Sequence, residues 1–231
     1  METTRDSTFF VVFLILASVF GLALIPILVL QPSIEYVQSS IRHSIVGTLY
    51  IVICLLGVLA VFYPAKCRNI FKQSQNPLPQ TNKKSAAMQI IGHHPSCQNF
   101  SANRIIVGGR TVCAACGGLL IGAVIALIGA GYYFFAGLNV AGGSVWLLVL
   151  GEVWLLLGLV QIKFSGYSKA VVNAVFVVGS FLTLMETDAV GESMLVDFYV
   201  LGLIAFMLWL RILLSEWNNR RICSRCQSCF Q

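Results

Sequence analysis

FFVVFLILASVFGLALIPILVL, residues 9–30, holds no charge, and its only polar side chain is Ser18. At 1.5 Å per residue, a helix over residues 8–30 spans a hydrocarbon layer about 30 Å thick. Its apolar residues are not gathered on one stripe of a 3.6-residue helix, so the surroundings must be apolar on every side. A cleaved signal peptide would suit the small residues Ala17 and Ser18. The run is too long for that, because the apolar core of a signal peptide is typically about 7–15 residues. A retained span is expected, with Pro26 as a kink towards its second end.

The same texture recurs at 45–63 (closed by Pro64), 117–136, 144–162, 167–185 and 194–214, the third of these containing VWLLVLGEVWLLLGLV at 145–160. The pattern predicts an all-α membrane protein, a polytopic bundle of six transmembrane helices. A hairpin of spans occupies 1–64 and four further helices occupy 117–214. The span at 167–185 is the weakest, being short and carrying Asn173 and Ser180. Composition agrees: 58% of the 231 residues are hydrophobic and 10% are charged, against about 25% charged in a soluble domain. Residues 65–89 are polar, contain two prolines and read as a linker. Residues 90–116 form a Cys/His-rich loop, and 215–231 a Cys-rich tail.

Orientation follows from the basic residues. With the N-terminus inside, Arg5, Lys66, Arg68, Lys72, Lys83, Lys84, Arg104 and Arg110 fall on the cytoplasmic side. Lys163, Lys169, Arg211, Arg220, Arg221 and Arg225 join them, and Arg42 alone falls outside. This is the distribution expected of a plasma-membrane protein with both termini cytoplasmic. It accounts for the net charge of +6, so no nucleic-acid partner is expected. The lipid bilayer is the expected partner, and a cytoplasmic protein partner and a homo-oligomer remain open. METDAVGESM, 185–194, reads as an acidic outer loop, with Asp197 at the interface just beyond it. Arg211 is expected to snorkel to the headgroups. Tyr132, Tyr133, Phe134 and Phe135 fit an outer aromatic belt.

The strongest chemical signal is HHPSC at 93–97 followed by CAAC at 113–116. His94, Cys97, Cys113 and Cys116 supply four ligands in two close pairs, with His93 as the alternative imidazole. Zinc binds such a tetrahedral shell of thiolate and imidazole, and rubredoxin-like iron is the second choice. Val107 to Arg110, VGGR, supplies a turn between the arms, as in a small zinc-ribbon-like loop. On the cytoplasmic side a disulfide is disfavoured and a metal favoured. A closed four-ligand shell points to structural zinc.

SCQNFSANRIIVGGRTVCAACGGLLIGA resembles the signature of an uncharacterised prokaryotic membrane-protein family, domain of unknown function 2085. Cys97, Phe100, Gly109, Arg110, Cys113, Ala114, Cys116, Gly118 and Gly122 carry the likeness, which covers about residues 97–122. Ala115 stands where the family has Arg, and Gln98 where it often has His. The resemblance implies a metal-binding membrane protein and no particular reaction.

Cys223, Cys226 and Cys229 form a second cluster that needs a fourth ligand to hold metal, and Cys67 is the candidate; S-acylation and free thiols are the alternatives. Cys54 reads as packing. Glu152 lies mid-span, where a carboxylate is costly, so it should face the bundle and bond Ser180, Asn173 or a carbonyl, or else serve transport. Gly118, Gly122, Ala126 and Ala130 form a small-residue stripe, expected to pack within the bundle rather than to build a dimer. Three functions compete. The first is a scaffold, docking or regulatory protein held by zinc. The second is a transporter or channel using Glu152, and the third is a membrane enzyme with a redox-active cysteine cluster. No known catalytic motif supports the third.

Overall fold

The computed structural model describes residues 2–30, 39–62, 103–107, 110–137 and 145–223. Helices α1 (Glu2–Val29) and α2 (Ser39–Phe62) come first, then strands β1 (Arg104–Val107) and β2 (Arg110–Cys113). Helices α3 (Ala114–Ala130), α4 (Val145–Leu159), α5 (Gly166–Gly191) and α6 (Met194–Cys223) follow. A π turn, Gly131–Phe135, extends α3. Five of these helices, α4 excepted, are long and apolar enough to cross a membrane. Phe13, Leu16, Phe20, Leu56, Ile121, Ile128 and Ile212 stand exposed on them, an outer surface that suits lipid and not water. The chain is a multi-pass helical membrane protein.

Two expected spans are corrected. Among the described residues, the one at 144–162 is α-helical over the 15 residues Val145–Leu159, about 22 Å at the α-helical rise. It then tightens into a 3-10 turn, Gln161–Lys163, where the buried Gln161 turns to bond α6 instead of continuing the helix. The span judged weakest, 167–185, runs on to Gly191 and is the most enclosed, with 67% of its apolar window buried against 28% for α1. Its surroundings are protein, so Asn173, Ser180, Thr183 and Thr187 are tolerated there. Three of them bond backbone carbonyls one turn back, Asn173 on Lys169, Ser180 on Val177 and Thr187 on Thr183. Glu192, in the left-handed region at φ 45°, ends the helix.

The small-residue stripe explains how α5 is enclosed. A Cβ on Gly118 would meet the carbonyl oxygen of Ala170 at 2.0 Å, and one on Gly122 that of Ala174 at 2.5 Å. The stripe therefore packs α3 against α5 in parallel. From the other side, Gly158 faces Phe176 and Gly151 faces Thr183, which sets α4 antiparallel to α5. The Tyr50 hydroxyl, 3.0 Å from Ser180 Oγ, ties in α2, and the Tyr199 hydroxyl donates to Gly21 O at 2.8 Å, joining α6 to α1. Phe134 occupies the space a Gly47 side chain would need.

Candidate functional site

Polar groups collect at both ends of this bundle. At the end holding Cys113, the two strands pair antiparallel from Arg104↔Cys113 to Val107↔Arg110, the register that a two-residue connection within VGGR requires. Ile105 is buried against Gly117 of α3. The Tyr167 hydroxyl donates to Ile106 O at 3.0 Å, and Lys169 Nζ to Asn103 Oδ1 at 2.6 Å. The hairpin is thus docked on α5 by the protein itself. Lys169, expected in a cytoplasmic loop, is buried in the first turns of α5.

Cys113 ends β2 and caps α3, and Cys116 lies in that helix's first turn. The Cys113 thiol titrates below the ordinary thiol range, chiefly because the Cys116 thiol donates a hydrogen bond to its sulfur. Donation from the Cys116 and Ala115 backbone N–H groups and the Lys169 charge add to this, against the opposing effect of burial. Both cysteines are free and partly buried. Two adjacent soft donors, one poised as thiolate, are half of a tetrahedral thiolate–imidazole shell. Among the described residues no group of three or more Cys, His, Asp or Glu could hold a metal. His93, His94, Cys97 and Cys67 lie outside the described residues, as do Cys226 and Cys229. Cys223 closes α6.

Arg211 does not snorkel. It is buried, donates from Nη2 to Gln161 Oε1 at 2.9 Å, and holds its guanidinium 5.1 Å from the centre of the Phe176 ring. Its partner is the 3-10 turn after α4, which draws the cation inward. Glu152 is half-buried, with Oε1 buried and making no hydrogen bond among the described residues. Ser180 and Asn173, its expected partners, bond elsewhere as described above.

The opposite end holds a cluster that the sequence reading missed. Arg42, expected outside, is buried, with Nε 3.2 Å from Asp188 Oδ1 and 3.7 Å from Asp197 Oδ2. Its Nη2 also donates to Asp188 O at 2.9 Å. The Tyr133 hydroxyl donates to Asp188 Oδ2 at 2.9 Å, and His43 Nε2 lies 3.4 Å from that oxygen. The rings of His43 and Tyr133 stack at 5.7 Å. Glu186 and Asp188 are therefore buried in α5 and not in an outer loop, and Asp197 is buried and not interfacial. Burial is possible because α2, the π turn, α5 and α6 converge there, each supplying a partner. The π turn splits the expected aromatic belt, leaving Tyr132 and Phe135 exposed and turning Tyr133 and Phe134 inward. The signal was present in sequence: the one basic residue that the charge count sets apart from the others, Arg42, and the acids of 186–197.

No protein-family model, curated protein or solved structure matches the chain. The likeness at 97–122 therefore stands on its own residues.

Proposed function

We propose that the chain crosses the plasma membrane six times with both termini in the cytoplasm, and acts as a scaffold with a docking or regulatory surface at its hairpin end. In this reading a structural zinc ion is held by His94, Cys97, Cys113 and Cys116. The observation that carries it is the pair Cys113 and Cys116, side by side at the start of α3 below a docked hairpin. Zinc would supply a closed cross-link from the segment before the hairpin to the membrane bundle. The likeness over 97–122 supports a metal there. Purified protein should contain zinc, and Cys113→Ser with Cys116→Ser should lower it by one ion per chain. The hairpin's own bonds to Tyr167 and Lys169 predict that the spans and hairpin stay assembled in that variant, while the segment before residue 103 becomes sensitive to protease. Unchanged zinc and unchanged proteolysis would remove the metal and the scaffold reading with it.

The topology has its own test. Glu192 is exposed just beyond α5, whereas Thr187 and Asp188 are buried and unsuitable for labelling. A cysteine at 192 should react with an impermeant maleimide added to intact cells. A cysteine at position 80 should react only after lysis, and the reverse pattern would invert the orientation.

A further inference from the structure

The cluster at the end of the bundle away from Cys113 has a deficit of hydrogen-bond donors. Asp197 is fully buried, and neither carboxylate oxygen has a hydrogen-bond partner among the described residues. Asp188 Oδ1 and Arg42 Nε also lack one, although the ion pair brings them close. Unserved acceptors therefore outnumber unserved donors by three to one. Both carboxylates stand against the same guanidinium nitrogen. Two buried carboxylates sharing one fixed cation cannot both stay ionised cheaply, because the second charge has neither water nor its own counter-charge.

The groups facing this space come from each packed element. Arg42 and His43 come from α2, Tyr133 from the π turn, Asp188 from α5 and Asp197 from α6. Glu186 is buried in α5 half a turn before Asp188, and Tyr199 of α6 is engaged with Gly21. Arg42 is committed to Asp188 by an ion pair and by its bond to the Asp188 carbonyl. Tyr133 already donates to Asp188. Both described donors, Arg42 and Tyr133, are thus engaged with Asp188, and one proton added to the two carboxylates and Arg42 would bring their net charge to zero. Of the described groups in contact with Asp188, His43 is the one open to the surroundings, with its side chain 31% exposed while Asp188 is 0%.

We propose that Asp197 and Asp188 hold one exchangeable proton, delivered through the His43 imidazole. In the delivery step His43 accepts a proton at Nδ1 from a hydronium ion, leaving water, and releases the Nε2 proton to Asp188 Oδ2. Its neutral form is restored with the tautomer exchanged, and ring reversal or back-transfer resets it. The proton then rests on the carboxylate pair, with Asp197 the better seat because Arg42 is bonded mainly to Asp188. Such a site gives the protein a proton-dependent state at this end of the bundle, independent of the thiol centre.

Infrared spectroscopy of full-length protein in lipid nanodiscs reads this directly. At neutral pH the wild type should show a carbonyl band of a neutral carboxylic acid that shifts on transfer to D2O. The band should be lost in Asp197→Asn and kept in Glu152→Gln, the latter removing another acid within the bundle. Asp197→Glu keeps an acid in altered surroundings and should move the band, which covers the case in which Asp197→Asn fails to assemble. His43→Phe preserves ring stacking on Tyr133 but cannot relay a proton, so the band should keep its size and exchange with D2O more slowly. Absence of the band in wild type, or its survival unmoved in both Asp197 variants, would overturn the proton site. Exchange in His43→Phe as fast as in wild type would overturn the relay.

Discussion

Replacing Arg42 with methionine is expected to remove about 3–5 kcal/mol of folding stability, the usual result of stripping one partner from a buried ion pair. Methionine keeps much of the length and apolar stem of the side chain, so the loss reports the charge rather than a cavity. Arg42 joins α2 to both α5 and α6, through Asp188 Oδ1 at 3.2 Å, the Asp188 carbonyl at 2.9 Å and Asp197 Oδ2 at 3.7 Å. Without it, Asp188 keeps, among the described residues, the Tyr133 hydroxyl and the partly exposed His43. Adding Asp188→Asn to the methionine variant should recover most of the loss, because the stranded charge is then gone while Tyr133 keeps an acceptor. Unfolding of the purified protein by a denaturing detergent measures both variants. A loss under about 1 kcal/mol, as for a solvated surface pair, would mean that water reaches the cluster, and it would weaken the proton site on the same ground.

What could be read from sequence divides along a physical line. Residues 9–30 announce a span because nearly every side chain has lipid as its surroundings, and hydropathy measures that. Hydropathy finds α5 but ends it at 185 instead of Gly191, because the surroundings of its last turns are other helices. Asn173, Thr183, Glu186, Thr187 and Asp188 read as polar until it is known that neighbouring helices enclose them. Arg42 was assigned by a rule that counts charge by side, and such a rule cannot see that a charge is matched within the bundle. The stripe from Gly118 to Ala130 was legible, because a four-residue spacing of small side chains has few uses other than close helix contact. Of the thiol centre, the spacing of Cys113 and Cys116 and the turn before them were legible, since both are local. The docking of the hairpin on Tyr167 and Lys169 was not, since Tyr167 donates to a carbonyl 61 residues away and Lys169 to a side chain 66 residues away.

Gly118 and Gly117 should then behave oppositely on conversion to alanine, although they are adjacent in one helix. An added methyl at Gly118 would lie 2.0 Å from the Ala170 oxygen and 2.8 Å from its carbonyl carbon. That neighbour is backbone in the second turn of a packed helix and has no rotamer to change, so α3 and α5 must separate. The cost should reach the upper part of the overpacking range, about 3 kcal/mol. At Gly117 the methyl would meet Val112 Cγ1 at 3.7 Å and Ile105 Cδ1 at 3.9 Å. Those are ordinary contacts with the hairpin, and alanine also improves helix propensity by about 0.8–1 kcal/mol. Gly117→Ala should therefore be neutral or stabilising. Detergent unfolding of the two variants side by side tests the α3–α5 contact without assuming any function. The same contact decides what α3 can present: its first turn carries Cys116 and follows Cys113, whose thiolate is favoured by Lys169 of α5. A wedge at Gly118 moves those thiols away from that cation, so reactivity of Cys113 towards a thiol reagent should fall in Gly118→Ala and hold in Gly117→Ala. Equal stability of the two variants would place the stripe on an outer face and return the dimer interface as its use.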